Sequence, residues 1–449
     1  MVRTTTPDVR EWYRASQERF ERHLNGEGEA ARALRRAALE RLAAAGFPTA
    51  RDEGWRHTNP APLVHTEFHA VLESRSGTVT PADLRPWSLA GLGLTELVFV
   101  DGLHAPELSS PAPLPAGVRA ESLAAALRST AGQVLDHLAR RVPGEGGFAA
   151  LNTAFLRDGG FIEVAPRAAM ERPVHLLYLT SGGGAPSVSH PRTLVVVGDG
   201  ARASVVETHA GLPGSGTYLS NAVTEIAAGA GSVVEHLKVH REGDAAYHVG
   251  QVGVVEQSHC AFTSHNLTLS GRLVRNDIAT LLDGEGIEST LNGLYLATGE
   301  EQVDNYTTIE HARPHCSSHE LYKGILTGRA RGVFRGKIHV HQAAQKTDAY
   351  QSNQNLLLSD EAEVTSKPQL EIYADDVKCS HGSTTGRLDR DAIFYLRARG
   401  ISRPDAVRVL TQAFADELVD RIGCEEVRRH LAPLVHAKLD PELIGRDPA

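Results

Sequence analysis

The sequence predicts a mainly β protein whose core is a solenoid of stacked β rungs, flanked by N-terminal and C-terminal helical domains. Three observations carry this. From about Phe161 to Gly386, short β-branched runs alternate with Gly, Asp and Asn turns, and no helical pattern intervenes. The turn phrases recur with a loose period of roughly 30 residues or its multiples, the range of stacked repeats. Outside that region, apolar residues fall at helical spacing. The competing architecture for the same strands is an irregular β-sandwich. The expected divisions are residues 1–150 as a helical or mixed domain, 151–386 as the β core and 387–449 as a helical domain.

Residues from about Asp8 to Ala45 read as helix, with Trp12, Phe20, Leu24, Leu34, Leu39 and Leu42 near helical spacing and Arg and Glu between them. Gly26 and Gly28 divide it in two, and Gly46 and Pro48 end it. In Trp55-Arg56-His57-Thr58-Asn59-Pro60, Trp55 is expected to anchor the helices to the next domain and Arg56 to pair with a carboxylate. Leu97-Val-Phe-Val100 reads as a strand among Pro-rich loops. A helix is expected over Leu123 to Arg141, with His137, Arg140 and Arg141 as a solvated cationic end. Pro143-Gly-Glu-Gly-Gly147 lacks the Lys-Ser/Thr of a phosphate loop and reads as a linker.

The central strands include Thr193-Leu-Val-Val-Val197, Val223-Thr-Glu-Ile226, Val233-Val-Glu-His-Leu-Lys-Val239 and Val252-Gly-Val-Val255. A single rung cannot bury its apolar face, but stacking makes one continuous core. His236, His240, His248, His259, His265, His311, His315, His319, His339 and His341 crowd this region. Most are expected to be polar residues on outward strand faces. His339-Val-His341 has a two-residue spacing that also suits transient metal handling. Gln351-Ser-Asn-Gln-Asn355 suits a side-chain amide ladder up the stack.

The last rung of a solenoid presents unpaired backbone groups and must be capped or joined by a partner. Here that rung falls near Gln369 to Ser380 and carries Cys379 and His381. In an extended segment their side chains share one face. Soft sulfur with borderline nitrogen suits iron, zinc or copper(I). Two ligands are too few for a closed site, so further ligands would have to come from elsewhere in the fold or from another chain. The same residues also fit an ordinary packed thiol and a surface imidazole.

In the tail, Asp389 or Asp391 opens a helix through Ala392 to Arg399 that stops at Gly400. Pro404 starts a second, whose Val407, Leu410, Phe414, Leu418 and Ile422 form an apolar stripe. A third spans about Glu425 to Leu439.

The 449 residues carry a net charge of −9, which argues against nucleic-acid binding as the main task. The four cysteines are dispersed, as in a reducing compartment without a disulfide framework. The N-terminus shows no apolar signal core, and no run approaches the roughly 20 apolar residues of a membrane span. A cytoplasmic protein, with no direct membrane contact, is expected.

The run Glu371-Ile-Tyr-Ala-Asp-Asp-Val-Lys-Cys-Ser-His-Gly-Ser-Thr-Thr-Gly386 resembles the hallmark of the SufD family of the SUF iron–sulfur cluster assembly machinery. Arg56-His-Thr-Asn59, Leu151-Asn-Thr-Ala-Phe155, Thr347-Asp-Ala-Tyr-Gln-Ser-Asn-Gln-Asn-Leu356 and Ala392-Ile-Phe-Tyr-Leu-Arg-Ala-Arg-Gly400 resemble it too, in the expected order over nearly the whole chain. The resemblance implies a right-handed parallel β-helix in the middle of the chain. It implies a scaffold, not an enzyme, that pairs with a SufB-like subunit through terminal strands and binds a SufC-like ATPase through the C-terminal helices. His381 would then be a ligand for iron or a transient iron–sulfur cluster shared with the partner, and Cys379 an auxiliary ligand or a packed thiol. A homodimer is expected when the chain is isolated. No phosphate-loop motif supports ATP binding by this chain, and flavin is expected only in the full complex. Two alternatives stay open. One is a purely architectural β-helix subunit. The other is a free-standing β-helix enzyme, such as a polysaccharide lyase or an acyltransferase, using Asp375, Asp376 and Lys378.

Overall fold

The computed structural model describes residues 9–24, 28–141 and 147–440. Gly26 and residues 143–146, read above as a helix break and a linker, lie outside the described residues. The chain winds into a parallel β-solenoid whose rungs alternate between two sheets, one of 11 strands and one of 10. Successive strands of the second sheet start at Glu288, Ser317, Asp348 and Lys378, each in register on the one before. The repeat expected from the turn phrases is therefore the length of one winding.

Between the sheets runs one apolar column, including Phe99, Val195, Ile226, Phe262, Leu291, Phe334 and Ile338, with Leu370 and Cys379 packed on its far end. Small residues let the rungs stack. Gly328 (φ +68°) sits over the Gly299 turn, where a Cβ would lie 2.9 Å from the Gly299 nitrogen. Thr95–Val100 and Val118–Ser122 also join the two sheets, so strands on the N-terminal side of residue 151 extend the stack.

The first two helices are Val9–Arg22 and Glu29–Ala45. Arg35 of the second is fully buried, paired with Glu21 at 2.8 Å and donating to the Leu156 carbonyl at 3.1 Å. Trp55 packs on Phe148 and carries the Arg275 guanidinium 4.0 Å over its ring, the anchoring expected of it. Among the described residues it is Thr58, not Arg56, that meets a carboxylate: its hydroxyl donates to buried Asp304. The helix expected over Leu123 to Arg141 is two short ones, Leu123–Ser129 and Ala131–His137, broken at Thr130 (φ −138°). Arg140 and Arg141 follow the helix end as expected, Arg140 exposed and Arg141 donating from Nη1 to the His137 carbonyl at 3.3 Å, but they do more than that. Their backbone N–H groups, with that of Ala139, donate to the buried Glu225 carboxylate at 2.8–2.9 Å. Glu225 also pairs with Arg192, so one buried charge is satisfied from two sides.

The tail forms Arg390–Ala398, Arg403–Val419 and Glu425–Lys438. Asp389 caps the first, accepting from the Asp391 N–H at 2.9 Å, and Ser402 caps the second. Leu418, Val419, Ile422, Val427, Leu431 and Val435 pack on Leu237, Val239, Leu267, Leu294 and Ile325 of the second sheet's outer face. Lys323 fixes the joint, donating to the Phe414 carbonyl at 3.1 Å and pairing with Glu417. Only the second half of the expected stripe, Leu418 and Ile422, is fully covered. Arg390–Ala398 buries no residue, and Phe394 and Tyr395 stand 72% and 57% exposed.

Candidate functional site

Both sheets end unpaired on the same side. Among the described residues, Glu363–Ile372 closes the first and pairs only with Arg331–Val340, and Lys378–Gly386 closes the second and pairs only with Asp348–Leu357. Neither strand holds a fully buried residue. Tyr373, 60% exposed, follows the first of them, and exposed Ile372 and Tyr350 lie close by in the sequence of the last two rungs. The solenoid is therefore open at this end.

Cys379 and His381 sit on that last strand, in register on Ala349 and Gln351, both buried. Cys379 is half-buried against the end of the apolar column. Strand alternation sets His381 on the same face, and it is exposed. Burial, then the nearby Asp348 charge, push the Cys379 thiol up, so the ligand-competent thiolate needs a positive neighbour such as a metal. Asp376 is turned away: it pairs with Lys346, and its N–H donates to Gln345 Oε1 at 3.0 Å. Cys260 and Cys316 belong to the sealed core. Burial pushes Cys260 up to about 12, and Cys316 donates to the Gly284 carbonyl at 3.1 Å.

Directly beneath His381 lies a polar interior. Gln351 Nε2 donates to Glu320 Oε2 at 2.5 Å, and burial pushes the Glu320 carboxyl up to about 7. Asn355 donates to Asn353 Oδ1 at 2.8 Å, and Asn353 to the Tyr322 carbonyl at 3.2 Å. The expected amide ladder is absent. These amides stack on Glu320, Tyr322 and Gly324 and bond to whatever each rung presents.

The histidine expectation needs a similar correction. His236, His240, His248 and His311 are buried and point inward, while His265, in register with Leu237, is buried on the outer face under the tail. His236 Nε2 lies 2.9 Å from Glu207, and His248 Nδ1 2.8 Å from Glu242. His209, Glu242 and His248 bring ligand atoms within 4.8 Å of one another. Lys238 points to the same place: a Cβ on Gly250 would lie 2.8 Å from His248 Nε2 and 3.1 Å from Lys238 Nζ. A buried ammonium opposes a cation there.

A second grouping lies on the outer face. Glu310, His339 and His341 hold ligand atoms within 4.8 Å of one another, all half-buried. Glu371, from the last strand of the first sheet, reaches His339 Nδ1 at 3.0 Å. Sequence reasoning noticed His339 and His341 but not the two glutamates. The signal was their spacing along the chain, Glu310 to His339 to Glu371, close to one winding each.

The family described as SUF system FeS cluster assembly, SufBD core domain, matches residues 178–414, and SufBD protein N-terminal region matches residues 7–176. The chain belongs to the SufBD family. Within that family it is of the SufD type. It is 31% identical over 403 residues to the iron–sulfur cluster assembly protein SufD of Escherichia coli, across 89% of this chain and 91% of the relative. It is 30% identical over 411 residues to an iron–sulfur cluster assembly SufBD family protein of Synechocystis, across 90% of each chain. The SufBD core match takes in the open end with Cys379 and His381, and ends inside the helix Arg403–Val419. No helix among the described residues is long and apolar enough to cross a membrane.

Proposed function

We propose that this SufD-type chain is a non-catalytic, cytoplasmic scaffold on which an iron–sulfur cluster is built at a joint with a second, SufB-like subunit. The observation that carries this is the open last rung with Cys379 and His381 on one face. An unpaired strand edge next to exposed Tyr350, Ile372 and Tyr373 invites strands from another chain. An exposed imidazole and a half-buried thiol supply two donors to a cluster that is cargo, not a resident group, and the partner supplies the rest. Isolated, the same edge pairs with a second copy of this chain.

Energy for the cycle comes from a SufC-like ATPase seated on the tail. The helix Arg390–Ala398 supports this reading, because its Phe394 and Tyr395 stay 72% and 57% exposed, with the Arg399 guanidinium over the Tyr395 ring. Nucleotide binds the ATPase and not this chain, and flavin enters only in the full complex.

Anaerobic reconstitution with iron and sulfide, on the chain alone and with both partners, tests the proposal. A cluster chromophore is expected only in the assembled complex, weakened by His381→Ala. Equal chromophore and normal assembly in the His381→Ala complex would sink the role given to that residue and favour a purely architectural subunit.

A further inference from the structure

Parallel, in-register stacking places Glu310, His339 and Glu371 opposite one another on three successive strands of the first sheet. Neighbouring strands lie about 4.8 Å apart, so side chains in such a column meet tip to tip. His341, two residues beyond His339, returns to the same side. The two imidazoles are 4.6 Å apart between centroids and nearly perpendicular. Each carries a carboxylate: His341 Nε2 lies 2.6 Å from Glu310, and His339 Nδ1 lies 3.0 Å from Glu371. Three donors, from Glu310, His339 and His341, thus converge, and a fourth, Glu371, reaches His339 from the next rung.

We propose that Glu310, His339, His341 and Glu371 form a divalent-cation site, separate from Cys379 and His381, that takes ferrous iron. Two imidazoles with two carboxylates are a borderline nitrogen and oxygen set, suited to first-row divalent ions. Glu310, His339 and His341 lie within 4.8 Å of one another, a spacing that closes to bonds of about 2.0–2.2 Å by small side-chain rotations, and Glu371 reaches the group through His339. Side chains here are roughly a quarter to two-fifths exposed, so an ion exchanges with solvent, unlike at the sealed His209 and His248. Lys337, 2.7 Å from Glu371, lies on a flexible, part-exposed stem and withdraws to water when an ion takes its place. Glu371 belongs to the open last rung, so the site borders the face where a cluster is to be built. The cation class follows from the four side chains alone; the choice of iron rests on the assembly reading above.

Titration of the full-length chain with Co2+, followed by its visible absorption, and anaerobic Fe2+ uptake measured by elemental analysis test the site. About one Co2+ per chain is expected, competed off by Fe2+. The double variant His339→Gln/His341→Gln should raise the Kd at least about tenfold. His381→Ala should leave the Kd unchanged, and melting temperature should not move in either variant. No Co2+ or Fe2+ uptake by the unaltered chain would overturn the proposal, as would an unchanged Kd in the double variant. Full cluster yield from a complex carrying the double variant would overturn the iron assignment and leave the assembly reading intact. Ion binding here by a chain that never supports a cluster would do the reverse.

Discussion

His381 lies in register on Gln351, whose Nε2 donates to the buried Glu320 carboxyl 2.5 Å away. The imidazole therefore crowns a polar column in which Gln351 Oε1 and Glu320 Oε1 have no hydrogen-bond partner among the described residues, and its exposed ring faces what arrives from outside. Replacing it should cost the fold little. His381→Ala is expected to change stability by less than about 0.5 kcal/mol, because the side chain is exposed, while cutting cluster formation in the complex severalfold. Cys379→Ala, on the same face, should lower both modestly, since Cys379 also packs on the core. Paired thermal melts and anaerobic reconstitutions separate the two effects.

Glu320 makes stability depend on pH. Burial raises its carboxyl from the ordinary 4.5 to about 7 in the fold. Between these values the folded chain holds a proton that the unfolded chain has lost, so stability falls as pH rises. Below 4.5 both states are protonated and the penalty vanishes; above 7 it is complete, on the order of 3 kcal/mol. Glu320→Gln keeps an amide partner for Gln351 and should flatten this part of the profile between pH 4.5 and 7 in chemical denaturation. Parallel profiles for the two proteins would refute the assignment.

Gly293 lies beneath the Tyr322 ring, where an added Cβ would sit 2.1 Å from Cε1 and 2.3 Å from Cδ1. Tyr322 is buried and cannot swing out. Gly293→Ala should therefore destabilise by about 1–3 kcal/mol through overpacking. A melt showing no loss would mean that the rungs yield more easily than their packing implies.

Phe394 and Tyr395 should matter only to a partner. Phe394→Ser/Tyr395→Ser is expected to leave the melting temperature of the isolated chain in place, because both side chains are mostly exposed. The ATPase subunit should no longer co-purify with the double variant. Retention of the ATPase at full stoichiometry would move its seat elsewhere on the tail.

The sequence by itself determined the architecture. Period-two runs, turn glycines at one-winding spacing and the apolar stripe ending in Leu418 and Ile422 are local patterns, and each reports its own backbone state. It also marked the open edge, because the β pattern stops just after Cys379 and His381 and a helix begins. Tertiary structure alone decided which residues face each other across windings. Glu310, His339 and Glu371 meet because the rungs are in register, and a shift of one residue would send alternate side chains to the opposite face. The same holds for His236 and His248, which turn inward to Glu207 and Glu242. A chain read in order shows alternation along a strand, but the corner of each rung resets which face is inside, and only the closed winding fixes it.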